Sequence, residues 1–435
     1  MKAIRQLIFL YLVLWVIEGA LRRWVLPGLA TPLLIVRDPV VLAIYYFAFR
    51  RGLFPFNGFV IASFLICYLA CTLALIVGHG NFFVAAFGTR VFLLHLPLLF
   101  VVPRVMDFED VVVIGRWCLV LVVPMTVLMV IQHNSGENAW VNRGVGGEGS
   151  AAFTGAMDKI RPPGTWSFIS GPSLFYPLAT AFWFALYLAR RAPLWLLLPA
   201  GVCILVACPI SISRGLVLGV ALVAVAGLIG LLRQNALSPH RILTAAAGLL
   251  VVVLAAGRIP QFQEASEVFM ARWESAAKTE GGDTALADRV FTSYTAPFEL
   301  VAEAPLFGHG IGIGTNAGAK LATGSRDFLH GEGEWFRILN ELGPILGLGM
   351  IALRGTLTIY LFIQAWNAWR TNDPTPSFFF AACAMSVLGG QWGQATTQGG
   401  MTIGAALLLA SAGGCRSAQP EAEPLPLSGP QAQGI

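Results

Sequence analysis

The stretch RDFLHGEGEWFRILNELGPILGLGMI, residues 326–351, sets His330 and Glu334 four residues apart. That spacing puts two side chains on one face of a helix. An imidazole titrates near neutral pH, and a neighbouring carboxylate orients the ring and raises its basicity, so the pair suits general-base chemistry. Glu332 adds a further acid between them. The pattern is not HExxH, and the other outer-loop histidines are His133 and His309, so no metal is expected. A histidine that merely caps or solvates a helix entrance is the competing reading.

Three arginines carry the second signal. Arg161 lies in KIRPPGTWS, where Pro162, Pro163 and Gly164 form a turn that fixes its direction. Arg214 lies in SISRGLVLG, in a short turn between two apolar runs with Ser211 and Ser213 beside it, and Arg289 lies in LADRVFTSY next to Asp288. Each alone reads as an ordinary loop arginine, a snorkelling side chain or a surface ion pair. Together with His330 on one face they point to a bulky anion such as a pyrophosphate, because a planar guanidinium matches phosphate oxygens bidentately. The glycine run PLFGHGIGIG, residues 305–314, lacks the Lys-Ser/Thr of a phosphate loop and reads as a tight packing loop.

The elements that must position these residues are membrane helices. Of 435 residues, 56% are hydrophobic and 12% charged, and the mean hydropathy is +0.72, far from the composition of a soluble domain. Apolar runs near 5–21, 31–49, 57–77, 84–103, 110–132, 172–189, 193–210, 215–232, 241–257, 341–364, 376–391 and 397–410 predict an all-α polytopic protein of about twelve transmembrane helices. The excess of Lys and Arg on alternate loops, with Arg22, Arg23 and Arg214 the main ones on the opposite short loops, predicts both termini in the cytoplasm and accounts for the net charge of +5 without nucleic acid. The seven cysteines fall in apolar runs or on the cytoplasmic side, so no disulfide is expected.

This divides the chain into helices 1–9 over 1–257 with an outer loop at 133–171, a large outer loop over 258–340, helices 10–12 over 341–410, and a Pro-, Ala- and Gln-rich tail over 411–435 that reads as disordered. Glu18, Arg37, Asp38, Arg90, His95 and Arg354 fall within or beside spans. Arg37 and Asp38 are adjacent and can neutralise each other where Pro39 interrupts the run, and Glu18 and Arg90 are assigned to a polar interior.

The order of RPPGTWSFISGPSLFYPLA at 161–179, SISRGLVLGV at 211–220, Arg289 followed by PLFGHGIG, and LHGEGEWFRILNELGPILG at 329–347 resembles the O-antigen ligase and Wzy-type O-antigen polymerase superfamily of bacterial envelope glycosyltransferases. The resemblance implies a multi-pass inner-membrane protein of GT-C-type architecture, with a large periplasmic loop before the third-last helix. It implies transfer of a glycan from undecaprenyl pyrophosphate to a glycan or lipid A-core acceptor, with no cofactor and no metal. Arg161, Arg214 and Arg289 fall where family arginines contact the lipid pyrophosphate, and His330 falls at the family's general base. One departure is Gly331, where many relatives carry Asn. A polysaccharide-lipid transporter or flippase is the alternative, but it calls for ionisable groups spread through the membrane depth and for inverted repeats, and no repeat is evident.

Overall fold

The computed structural model describes residues 1–145, 159–234, 304–324 and 333–417, together with Arg258, 263–271, Trp273, Thr292 and 294–299. The described residues are helical, with no strands. Helices are the only open-chain answer to an apolar solvent, since each backbone N–H and C=O must be satisfied within its own segment. We label them α1 (Lys2–Ala20), α2 (Asp38–Arg50), α3 (Gly58–Ile76), α4 (Phe82–Thr89), α5 (Leu98–Val101), α6 (Phe108–Asn134), α7 (Ser170–Leu188), α8 (Leu194–Ile210), α9 (Arg214–Arg233), α10 (Asn316–Thr323), α11 (Glu334–Arg370), α12 (Thr375–Gly389) and α13 (Ala395–Ser417).

Seven helical segments among the described residues are long and apolar enough to cross a membrane: Lys2–Val25, Pro32–Arg50, Gly58–Ile76, Phe82–Arg104, Phe108–Asn134, Arg214–Arg233 and Glu334–Arg370. Large apolar side chains cover their outward faces, among them Leu10 and Val13 on α1, Phe64 and Tyr68 on α3, Val225 and Ile229 on α9, and Ile359 and Trp366 on α11. An apolar exterior this extensive suits lipid and not water. The protein is therefore a polytopic helical membrane protein. The run at 241–257 lies outside the described residues.

The core is built around α12, which packs on α13, α11, α7 and α9. Small residues let these helices approach closely, as lipid-embedded packing requires. A Cβ on Gly227 of α9 would lie 2.4 Å from the Phe184 ring of α7, and one on Gly404 of α13 would lie 2.7 Å from Cys383 of α12.

Charged groups inside the bundle find partners across helices. Arg37 does not neutralise Asp38. It pairs with Glu18 of α1 at 3.3 Å, while Asp38 receives a two-pronged contact from Arg90, at 2.6 and 2.8 Å, and a contact from His95 Nε2 at 3.2 Å. Consecutive residues on a helix point in different directions, so neighbours in sequence reach different partners. Tyr11 joins the two groups: its hydroxyl accepts from Arg37 Nη1 at 3.1 Å and lies 2.8 Å from His95 Nδ1.

The segment after the large outer loop is the other departure from a simple span. Helix α11 starts at Glu334, before the expected boundary at 341, and is broken at Gly343, whose φ of 72° is left-handed and precedes Pro344. Proline removes a backbone donor and the glycine takes a conformation that other residues resist, so the chain turns there.

Candidate functional site

A cavity of about 460 Å³ opens where the end of α1, the 141–145 and 161–169 segments, α10, the first turn of α11 and the α12–α13 connection meet. Its lining includes Arg22, Arg23, Arg143, Arg161, Lys320 and Arg337, and among the described residues Glu334 is the one carboxylate on it.

The first side of this cavity is organised by Arg23 and Gln132. Arg23, 2% exposed, spends its guanidinium on backbone carbonyls: Arg143 at 2.6 Å, Val141 at 3.2 Å, Gly164 at 3.3 Å and Trp166 at 3.2 Å. Gln132, at the end of α6, donates to Gly164 O at 3.0 Å and accepts from Gly164 N at 2.8 Å. Gly164 has φ +62°, and a Cβ there would meet Met125 Sδ at 2.7 Å, so the RPPG turn closes only around glycine. Trp166 then buries its ring against Trp15 and Phe175. Arg161 is carried by this turn into the cavity lining. Two residues before it, Lys159 contacts Glu264 at 2.6 Å, and that hydrogen bond holds the Glu264 carboxyl below the usual carboxylate range.

The second side is an ionic cluster. Glu334 Oε1 accepts from Arg337 Nη2 at 2.7 Å, Arg354 Nη1 at 3.0 Å and the backbone N–H of Trp392 at 3.1 Å, and Glu334 Oε2 accepts from Arg337 Nε at 3.0 Å. Arg337 also donates to Glu341 at 2.8 Å and stacks over Phe92. The Glu341 carboxylate accepts the amide N–H groups of Gly312 at 3.1 Å and Gly314 at 2.9 Å. The glycine run thus forms a tight loop, and the anion it cradles is a side chain of the protein itself. Gly312 has φ +96°, and a Cβ there would lie 2.3 Å from Val84 O. Arg354, fully buried, donates also to Val387 O and Gly390 O and lies over Trp392.

Two of the residues singled out from sequence, Arg161 and Glu334, therefore line one cavity. Arg214 is the first residue of α9, half-buried after the Ser213 cap, and is not among the lining residues. His330 and Arg289 lie outside the described residues. Among the described residues no cluster of three or more His, Cys, Asp or Glu side chains is grouped to hold a metal.

Sequence reasoning missed Arg143, Lys320, Arg337, Glu341, Gln391 and Gln394, and treated Arg22 and Arg23 only as orientation charges. The signal for Arg337 and Glu341 was present: with Glu334 they recur at i, i+3 and i+7 and form one charged stripe on a helix. A separate cavity of about 550 Å³ at Val77, His79, Leu306, Phe307 and His309 is mostly apolar. The His79 ring there is committed to Ile311 O and Asn81 N–H, which ties the α3–α4 turn to the glycine loop.

No family model matches the chain, and no curated protein and no solved structure matches it.

Proposed function

We propose that the protein is a bacterial inner-membrane glycosyltransferase with about twelve transmembrane helices in a GT-C-type arrangement and both termini in the cytoplasm. It transfers a glycan from undecaprenyl pyrophosphate to a sugar hydroxyl at the periplasmic face, as an O-antigen or exopolysaccharide polymerase or as an O-antigen ligase. The observation that carries this reading is the cavity whose described lining holds six cationic side chains beside the carboxylate of Glu334, with Glu18 and Glu341 paired to Arg22 and Arg337 behind it, at one end of a lipid-exposed bundle. Such a site attracts a polyanion, and a donor held in the bilayer by its polyprenyl chain presents its pyrophosphate at that level.

In the reaction the acceptor hydroxyl gives its proton to the base and its oxygen bonds to the anomeric carbon. The carbon–oxygen bond to phosphate breaks, and undecaprenyl pyrophosphate leaves with the electron pair. His330, three positions before the cavity-lining Gly333 in the sequence, is the base in this reading. A positioned base of this kind contributes about 10²- to 10⁴-fold. Arg161 stabilises the leaving pyrophosphate from the cavity lining, Arg214 and Arg289 being assigned to the same clamp from the sequence resemblance alone, and removing one preorganised charge from such a site costs about 3 to 4 kcal/mol by analogy with oxyanion-hole deletions. Glu334 keeps the neighbouring Arg337 in place.

The test is reconstitution of the purified protein with undecaprenyl-pyrophosphate oligosaccharide, with and without lipid A-core, read on glycan gels. A ladder formed without core identifies a polymerase, and product formed only with core identifies a ligase. Either product must vanish in His330→Ala while the variant remains folded. Absence of transfer by the wild-type protein, under conditions where a known polymerase works, refutes the proposal.

A further inference from the structure

Resting on the glycosyltransferase reading, we infer that the connection between α12 and α13 is the sugar-recognition element of the cavity, with Gln391 and Gln394 as the groups that bind glycan hydroxyls. The cavity is electrically two-sided. Arg22, Arg23, Arg143 and Arg161 come from the helical turn that follows α1, Leu21–Val25, and the two segments it holds, and Glu18 contacts Arg22 at 3.4 Å and is shared with Arg37. On the α11 side Arg337 and Arg354 are matched by Glu334 and Glu341, so these four side chains are neutral in sum, with Lys320 of α10 the one further cation of the described lining. A pyrophosphate is drawn to the first side. The second side suits an uncharged polyol.

The α12–α13 connection belongs to the neutral side and is held from several directions. Arg354 binds Gly390 O at 2.7 Å, Glu334 accepts Trp392 N–H at 3.1 Å, Arg37 donates to Ala395 O, and Trp15 donates to Thr396 O at 2.9 Å. Four buried side chains from α1, the start of α2 and both halves of α11 thus fix a short strap of backbone. At Gly393 the strap passes so close that a Cβ would stand 3.3 Å from Thr315 and 3.8 Å from the Arg337 guanidinium carbon.

What the strap presents to the cavity is a pair of carboxamides. Gln394 Nε2 donates to Gln391 Oε1, and both side chains line the cavity. The pairing leaves the Gln391 NH₂ as a donor, and the Gln394 carbonyl, which accepts from Thr397 Oγ1 at 3.5 Å, keeps a second lone pair as an acceptor; exchanging O and N in both amides still leaves one donor and one acceptor. A sugar hydroxyl donates and accepts at once, which this pair matches. Phe336 lines the same cavity and supplies an apolar face of the kind a pyranose ring covers. Rigid anchoring means little ordering entropy is lost when a glycan binds.

The experiment uses the full-length protein in nanodiscs with two probes: glycan-free undecaprenyl pyrophosphate, and the lipid-linked oligosaccharide extracted from the membranes in which the protein is native. Gln391→Ala and Gln394→Ala are each expected to raise KM for the oligosaccharide about tenfold, the weight of one hydrogen bond. The Kd for the glycan-free lipid is expected to stay at its wild-type value. Wild-type KM in both variants overturns the inference, and so does an equal loss for both probes, which would make the strap purely structural. A wild-type protein that binds neither probe refutes the pyrophosphate reading itself, and this inference with it.

Discussion

Glu334 and Arg354 lie on one continuous stretch of helical chain, twenty residues apart, yet their side chains touch at 3.0 Å. A straight α-helix would separate them by about 30 Å. They meet because Gly343 and Pro344 break the helix and the short segment from Glu334 to Leu342 folds back alongside the long one. This fold-back brings a charged stripe from the lip of the bundle against the α12–α13 connection. The placement of Glu334, Arg337 and the strap bearing Gln391 and Gln394 all depends on it.

Arg354→Ala should destabilise the protein by about 3 to 5 kcal/mol, because it leaves Glu334 buried with one cationic partner fewer and strips donors from Val387 O and Gly390 O. Arg354→Lys should recover only part of this, since one ammonium cannot reproduce a fork that serves three acceptors. Thermal unfolding in detergent, followed by tryptophan fluorescence, orders the three proteins. A lysine variant as stable as the wild type would contradict the geometry.

Gly343→Ala should prevent correct assembly. Its Cβ would stand 2.3 Å from Leu306 O, and its φ of 72° is strained for any L-residue. Gly355→Ala lies on the same helix with open space around it and should be neutral or slightly stabilising, by up to about 1 kcal/mol. The monodisperse fraction on size exclusion compares the two. Equal yields would remove the fold-back as a requirement.

The helices were legible because lipid imposes long apolar runs, and runs such as 57–77 and 215–232 fall on α3 and α9 almost residue for residue. The cavity was half legible. Arg161 announced itself through the rigid PPG turn and Glu334 through its place at a helix entrance. Arg22 and Arg23 look like topology signals until the fold shows one pairing with Glu18 and the other holding four carbonyls. Gln391 and Gln394 are uncharged and leave no mark in composition or periodicity. The partners of Arg37 and Asp38 were hidden for a related reason, because contacts between helices depend on packing that local sequence does not encode.

The proposed glycosyltransferase function predicts that Arg161→Ala lowers kcat/KM for transfer by about 10²- to 10³-fold, the usual effect of removing a preorganised charge from a developing anion. Arg161→Lys should fall between this variant and the wild type, because it keeps the charge and loses the bidentate fork. Both should remain folded, since the turn that carries Arg161 is held through Gly164 and Trp166. Single-turnover transfer measured beside an unfolding curve checks the two halves of this expectation. Lysine and alanine variants with equal activity would show that neither charge nor geometry at this position serves the reaction.

Asp38 and Arg90 provide a test of the corrected pairing in the membrane interior. Their two-pronged contact at 2.6 and 2.8 Å is largely buried, so removing either partner strands a charge, and Asp38→Ala or Arg90→Ala should each cost about 3 to 5 kcal/mol. The double variant removes both charges together and should cost much less than the sum of the singles. Arg37→Ala combined with Asp38→Ala should show a much smaller coupling than the Arg90 pair, because Arg37 is matched to Glu18 at 3.3 Å and reaches Asp38 only through Tyr11 and His95. Guanidinium or thermal unfolding of six proteins in one detergent, the wild type, the single variants at Arg37, Asp38 and Arg90, and the two double variants, gives the coupling energies. A large coupling for Arg37 with Asp38, and none for Arg90 with Asp38, would restore the pairing expected from sequence and contradict the observed one.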